Sequence, residues 1–335
     1  MEIGLLYDLR NPPQWRIPPA ELYAETLDHI QAMEALGFPV CWVTEHHFID
    51  DQYLPSCLAF AAAIAARTKR ITIGTAVILL PLNDAIRIAE DAAVVDILSN
   101  GRLRLGLGLG YKLEEFEAFG ISRRSRASRM EEGIEVIKAA WGEGPASFEG
   151  RHYNFHDIDV TPKPVQKPTP EIWLAGRAEV TVRRAARMAD GLIAVGGSDL
   201  NAMYRDARAE FGRGGPANLA AFAWSYPTDD PGRAWEECGP HTRYRAKNYA
   251  EWYGAAADLE TDRTWTAAVE ANASPGANAS IFRSPDDTIA DLRALAATGV
   301  TSAIYFATFP GMRPSATIPF FETMATHVLP AVADA

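Results

Sequence analysis

The chain has 335 residues, 48% of them apolar, and its 32 basic against 43 acidic side chains leave a formal charge of −11. That length can bury one α/β barrel core, and so acidic a surface repels phosphate backbones and anionic lipid, which argues against nucleic-acid and membrane partners. Cys41, Cys57 and Cys238 form an odd set without a CxxC pair, the usage of a reducing cytoplasm and not of a disulfide framework.

Short β-branched or apolar runs alternate with stretches of helical period, the pattern of βα units around a parallel sheet. The opening MEIGLLYDLRNPP lacks the basic start and longer apolar stretch of a signal peptide. Within it, IGLLY (3–7) reads as the first strand. Residues 20–36 carry Leu22, Leu27, Ile30 and Met33 at helical spacing and stop at Gly37. VCWVTEHH (40–47), ITIGTAVILL (71–80) and GRLRLGLGLG (101–110) read as strands two to four, with helices near 55–67, 84–98 and 124–141. FEGRHYNFHDIDVTPKPVQKPTP (148–170) then interrupts the alternation, and its proline cluster predicts a hairpin followed by an extended linker. EIWLA (171–175), GLIAV (191–195) and NLAAFAWSY (218–226) are strands five to seven, with helices at 179–189, 200–212 and 231–256. The polar stretch 257–282, with Pro275 and Gly276 among small residues and no clear period, reads as an excursion, either lid-like or a plain surface loop. A helix at 285–298, the strand SAIYFAT (302–308) and a closing helix at 315–328 complete eight βα units, one (β/α)8 barrel domain over residues 1–335. No apolar run approaches the ~18 residues of a membrane span.

Barrels of this class build active sites at the C-terminal ends of their strands, which turns the strand reading into a short set of candidates. Glu45, His46 and His47 end the second strand, Ala76 and Val77 lie in the third, and Gly108, Leu109, Gly110 and Tyr111 end the fourth. Gly176, Arg177 and Ala178 follow the fifth, Thr181 opens the next helix, and Gly196, Gly197 and Ser198 follow the sixth. Adjacent histidines are most often a hydrogen-bonded structural pair. A metal site would need further ligands from other strand ends, where Asp8 is the main carboxylate on offer, so no metal is expected. GLGLG lacks the spacing and the later acid of a dinucleotide fingerprint. At a strand end its glycines read instead as room for a flat ligand against the backbone. Leu5, Trp42, Ile78, Leu107, Leu109 and Phe306 read as apolar walls.

In chain order, GF at 37–38, EHHF at 45–48, GTAVILLP at 74–81, NGRLRLGLGLGY at 100–111, FEAFG at 116–120, PKP at 162–164, ADG at 189–191 and ATGV at 297–300 resemble the bacterial-luciferase-like monooxygenase family. The resemblance runs almost from end to end. It implies an enzyme that uses reduced FMN and O2 to oxygenate a small organic substrate through a peroxyflavin. A separate flavin reductase would supply the reduced FMN, since no NAD(P)H fingerprint is present. By the same resemblance His46 is the catalytic histidine, flanked by Glu45 and His47, and Ala76–Val77 is a non-proline cis peptide beneath the flavin ring. Thr181 is a phosphate contact. Where luciferase itself has a phosphate-contacting arginine this chain has Leu109, so Arg177, just before a helix start, is the replacement. The family commonly dimerises through its early helices, and Ala85, Ala89, Ala92 and Ala93 would permit close approach in a homodimer. A deazaflavin-dependent hydride-transfer enzyme on the same barrel is the nearest alternative. EHHF favours the flavin branch, because the deazaflavin branch usually carries an Asp-His pair there. A non-catalytic flavin-binding subunit is the third reading, and the intact His46 argues against it.

Overall fold

Strands buried on both faces read as unbroken apolar runs, because helices cover one side and the barrel interior fills the other. In the computed structural model, which describes residues 1–196, 199–255 and 281–333, eight such strands close into one parallel sheet. They are β1 (Glu2–Tyr7), β2 (Val40–Val43), β3 (Thr72–Thr75), β4 (Leu103–Gly108), β5 (Glu171–Gly176), β6 (Gly191–Ala194), β7 (Asn218–Phe222) and β8 (Ser302–Phe306). Neighbours pair in the order β3-β2-β1-β8-β7-β6-β5-β4, and Ile73 opposite Leu103 closes the ring. Around it lie α1 (Pro19–Ala35), α2 (Cys57–Arg67), α3 (Ala85–Ser99), α4 (Leu113–Ala118), α5 (Arg126–Trp141), α6 (Glu179–Met188), α7 (Asp199–Glu210), α8 (Pro231–Ala255) and α9 (Pro285–Ala297). The hairpin is the antiparallel pair Ala146–Glu149 and Asn154–Ile158. Of the excursion 257–282 only the last two residues are described, Phe282 pairing with Tyr226. Its other residues, with Gly197 and Ser198, lie outside the described residues.

Inside the barrel Trp42 and Trp173 meet edge to face, centroids 5.8 Å apart. The Arg104 guanidinium lies over both rings and pairs with Glu2 and Glu171. A Cβ at Gly74 or Gly191 would fall 2.1 or 2.3 Å from those indoles, so the rings leave room for no side chain there. Leu6, Ile193 and Phe306 belong to the same interior cluster and form part of the cavity above it.

Several predicted boundaries shift for identifiable reasons. β2 stops at Val43, which puts Glu45, His46 and His47 in the following loop. The third predicted strand is divided by a cis peptide between Ala76 and Val77, after which Ile78–Leu79 resumes pairing with Leu107 and Gly108. β4 ends at Gly108 and β7 at Phe222, and α4 was not predicted. The closing helix is a 3-10 turn (Pro314–Thr317), an α turn (Ile318–Thr323), a π turn (Met324–Val328) and a last α turn. Pro314, Pro319 and Pro330 each withhold an N–H from a regular ladder. Of the predicted walls, Leu5, Ile78 and Leu107 face the surrounding helices and Trp42 fills the barrel, so only Leu109 and Phe306 line the cavity. Alternate strand residues point to opposite faces, and it is Leu6, not Leu5, that looks inward. Ala85, Ala89, Ala92 and Ala93 are fully buried within the chain itself, so the alanine stripe of α3 packs on its own barrel and offers nothing to a second copy.

Candidate active site

The loop after β2 is clipped to the end of β3. Ala76 N donates to Val43 O (2.7 Å) and Glu45 N donates to Val77 O (3.3 Å). Thr75 Oγ1 donates to Gly106 O (2.7 Å) and accepts from Gly106 N (2.8 Å), tying β3 to β4 just before the cis turn. A Cβ at Gly106 would lie 1.8 Å from Thr75 O and one at Gly108 2.3 Å from Val77 Cγ2. Protein packing by itself therefore requires glycine at both positions, and Gly108 also lines the cavity at the strand ends.

The two histidines have separate partners. His46 Nδ1 lies 2.8 Å from Glu115 Oε1, which also accepts from His47 N at 2.9 Å, and His46 Nε2 lies 2.9 Å from the Tyr111 hydroxyl. The fully buried carboxylate can only accept, so Nδ1 carries the proton and Nε2 accepts from Tyr111. Burial alone would raise the Glu115 pKa. The hydrogen bond from His46, the His47 amide and the charge of Lys112 outweigh it and hold that pKa below its ordinary value. His47 Nε2 turns instead to Glu45 Oε1, 2.9 Å away. Tyr53 and Trp252 stand edge-on and tilted against the His46 ring at 5.0 and 5.2 Å.

Asp8, the extra carboxylate of the sequence reading, belongs to a buried cluster beside this site. Burial raises its pKa against the pull of Arg10 and Arg245. Arg10 pairs with Asp51 at 2.6 Å, donates to Asn248 and is ringed by Tyr53, Tyr244, Tyr249 and Trp252. This cluster fastens the C-terminal part of α8 over the strand ends.

A cavity of about 490 Å³ opens there, and every predicted site residue except His47 and Gly196 lines it. His47 sits behind Glu45, and Gly196 is exposed. Residues that the sequence reading missed also contribute: Arg123, Arg126, Arg184, Phe222, Trp224 and Tyr249 line the cavity, and Glu115 backs His46. At one end Arg123, Arg126, Arg177 and Arg184 converge on Thr181 and the start of α6. Burial and the neighbouring Arg123 and Arg184 lower the Arg126 pKa. Arg184 Nε donates to Glu131, while its Nη1 is buried without a hydrogen-bond partner among the described residues. Glu131 offsets part of this charge, and a phosphate at the helix N-terminus would supply a partner for the Arg184 nitrogen left over. The run Arg123-Arg124-Ser125-Arg126 and the i,i+3 spacing of Thr181 and Arg184 were the available signals. A ligand with a planar ring and a phosphate fits: apolar walls for the ring, and the orphaned guanidinium nitrogen for the anion.

A closed (β/α)8 barrel thus carries, at the strand termini where barrels of this class build their active sites, a buried carboxylate–histidine pair and a set of cavity-lining arginines. The chain belongs to the luciferase-like monooxygenase family, whose model matches residues 1–302. That family includes flavin-dependent monooxygenases and F420-dependent oxidoreductases. Over 159 residues, 47% of this chain and 44% of the relative, it is 33% identical to the oxygenase component of a flavin-dependent trigonelline monooxygenase from Acinetobacter baylyi. Over 182 residues, 51% of this chain and 52% of the relative, it is 36% identical to an F420-dependent glucose-6-phosphate dehydrogenase from Kineococcus radiotolerans. The chain spans about half the length of the curated relatives it matches. Its fold is similar to that of the monooxygenase RslO1 from Streptomyces bottropensis, with a TM-score of 0.80 at 23% identity over 98% of this chain and 99% of that one. Among the described residues no helix is long and apolar enough to cross a membrane.

Proposed function

We propose that the protein is an FMN-dependent monooxygenase that takes reduced FMN from a separate flavin reductase and oxygenates a small organic molecule. The observation that carries this reading is the His46 Nε2–Tyr111 hydrogen bond on the wall of a mainly apolar cavity whose far end is cationic. When bound, the flavin supplies two electrons and the site of oxygen activation. The chain supplies the rest. Arg177, Arg184 and Thr181 hold the phosphate. Ala76, Val77 and Leu109 exclude water from the ring. His46 takes or returns a proton at Nε2 through Tyr111, and Glu115 holds Nδ1–H and stabilises the imidazolium that forms. The relative named as an oxygenase component supports the separate reductase.

A second reading is a deazaflavin enzyme transferring hydride. The exposed Arg124 beside the cationic end favours it, because a deazaflavin carries an acidic tail beyond its phosphate, and so does the F420-dependent relative. Anaerobic titration with reduced FMN and reduced F420, then oxygen-uptake measurement, tests the choice. Tight binding of reduced FMN with oxygen uptake is expected. Binding of F420 alone, without oxygen uptake, would overturn the FMN reading. On a confirmed substrate His46→Ala is expected to fold normally and lose at least ~100-fold in turnover, the scale of a positioned acid–base group; a loss of only a few-fold would remove His46 from that role.

A further inference from the structure

Besides the arginines about the start of α6, the cavity is lined by a cluster of aromatic rings. Phe222 of β7 and Phe306 of β8 have centroids 5.7 Å apart and planes within 25°. Trp224 extends the wall, 6.3 Å from Phe222 at 23° and 5.6 Å from Phe306 at 33°. Phe222 and Trp224 are half-buried and line the cavity with Phe306, so this cluster of near-parallel rings gives it an aromatic wall against which a flat ligand would pack.

The rear of the wall carries a charge. The Arg245 guanidinium carbon lies 3.9 Å from the Phe306 centroid and 5.9 Å from that of Trp224. Arg245 is buried and does not line the cavity, so it sits behind the rings. A cation on one face draws π density toward itself and leaves the other face electron-poor. That face suits an electron-rich ring and repels a second cation. At the edge of the wall Tyr249 packs on the same cluster. Its hydroxyl meets that of Tyr53 at 3.0 Å and its ring stands 6.5 Å from His46. An oxygen on the rim of a stacked ligand would meet this corner of phenols and imidazole. Among the described residues the basic side chains that line the cavity are Arg123, Arg126, Arg177 and Arg184, gathered about the start of α6, so an anionic substituent on the aromatic wall would lack a cavity-lining cation as its partner.

Resting on the flavin reading of the site, we propose that the substrate is an uncharged, electron-rich planar arene, a phenol or fused hydroxyarene. It stacks on Phe222, Trp224 and Phe306 with its oxygen toward Tyr249 and His46. The test is titration of the purified protein, with and without saturating FMN, by calorimetry and tryptophan fluorescence. The probes are 2-naphthol, decanal, 2-naphthoate and N-methylquinolinium. The expected result is 2-naphthol binding, retained with FMN bound, at least about 10-fold tighter than the other three. Phe222→Leu and Trp224→Leu should each weaken it by about 3- to 10-fold, the scale of one aromatic pair, with decanal little changed. Loss of 2-naphthol binding on FMN saturation would assign the wall to the cofactor ring and overturn the proposal. So would equal affinity for decanal, or tighter binding of either charged arene. FMN affinity measured on the same samples separates the two ideas. FMN that binds while 2-naphthol does not refutes this substrate class alone, and 2-naphthol that binds where FMN does not refutes the flavin reading alone.

Discussion

Glu115 touches the cavity only through His46, so its role is to fix one tautomer and to stabilise the charge that His46 gains. Glu115→Gln keeps an oxygen that can accept from Nδ1–H and from His47 N but removes the charge. It is expected to lower turnover by roughly 10- to 100-fold and to move the acid limb of the kcat/KM profile to lower pH, because the imidazolium loses its counter-charge. A drop in activity with an unmoved limb would mean that Glu115 serves folding alone. The cationic end makes a second prediction. Arg177→Ala should weaken reduced-FMN binding by about 1.5–3 kcal/mol, the range of a charged hydrogen bond, nearer the lower figure because Arg123, Arg126 and Arg184 share the anion. Riboflavin affinity should hardly change, and equal losses for the two flavins would place the phosphate elsewhere. His46, Tyr111 and Arg177 were legible because strand ends and family motifs point to them. Glu115 was not, since it follows His46 by 69 residues. Nothing in the run Lys112-Leu113-Glu114-Glu115-Phe116-Glu117 marks which acid turns inward. Phe222 and Trp224 were hidden differently: an aromatic in a strand-like run reads equally as core.

At the scale of elements, the βα alternation was readable because buried parallel strands and amphipathic helices differ in period. The breaks were not, because they depend on tertiary contacts such as the Thr75–Gly106 clasp and the Ala76–Val43 hydrogen bond. α1 shows how an element is locked in place. His29, on its buried face, lies 3.0 Å from the Tyr7 hydroxyl of β1 and 3.2 Å from Thr317 Oγ1 near the chain's end. Burial pushes its pKa down from the ordinary 6.5 to about 4. Between those values the unfolded chain binds a proton that the folded chain refuses. Stability is therefore complete above pH 6.5 and falls as pH drops toward 4, by on the order of 3 kcal/mol from this group. His29→Gln, which cannot be protonated, should flatten the dependence of the denaturation midpoint across that window, at some cost in stability near neutrality. A slope identical to that of the parent protein would assign the acid sensitivity to other groups.

At the scale of the whole molecule, a second copy would have to meet an exposed apolar face. The alanines of α3, offered by the sequence argument for such a contact, are buried within the chain itself. The alanines of α3 are small because the barrel and neighbouring helices press on them, and Trp141 Nε1 donates to Ala89 O from α5. The outer face of α3 instead exposes Val94 (43%), Ile97 (39%) and Leu98 (52%). Their i,i+3,i+4 spacing gathers them into one apolar patch, and Arg87, Glu90 and Asp91 lie one to two turns away on the same side as a charged rim. Such a cluster on an outer helix face is a candidate contact surface. Packed against its own copy about a twofold axis it would be self-complementary. The expected state is a homodimer, read as twice the chain mass by light scattering at micromolar concentration. The double substitution Val94→Lys with Leu98→Lys should shift it to monomer while leaving the melting transition cooperative, since neither side chain belongs to the buried core. A parent protein that is monomeric at that concentration, or a double variant that remains dimeric, would remove α3 from the interface.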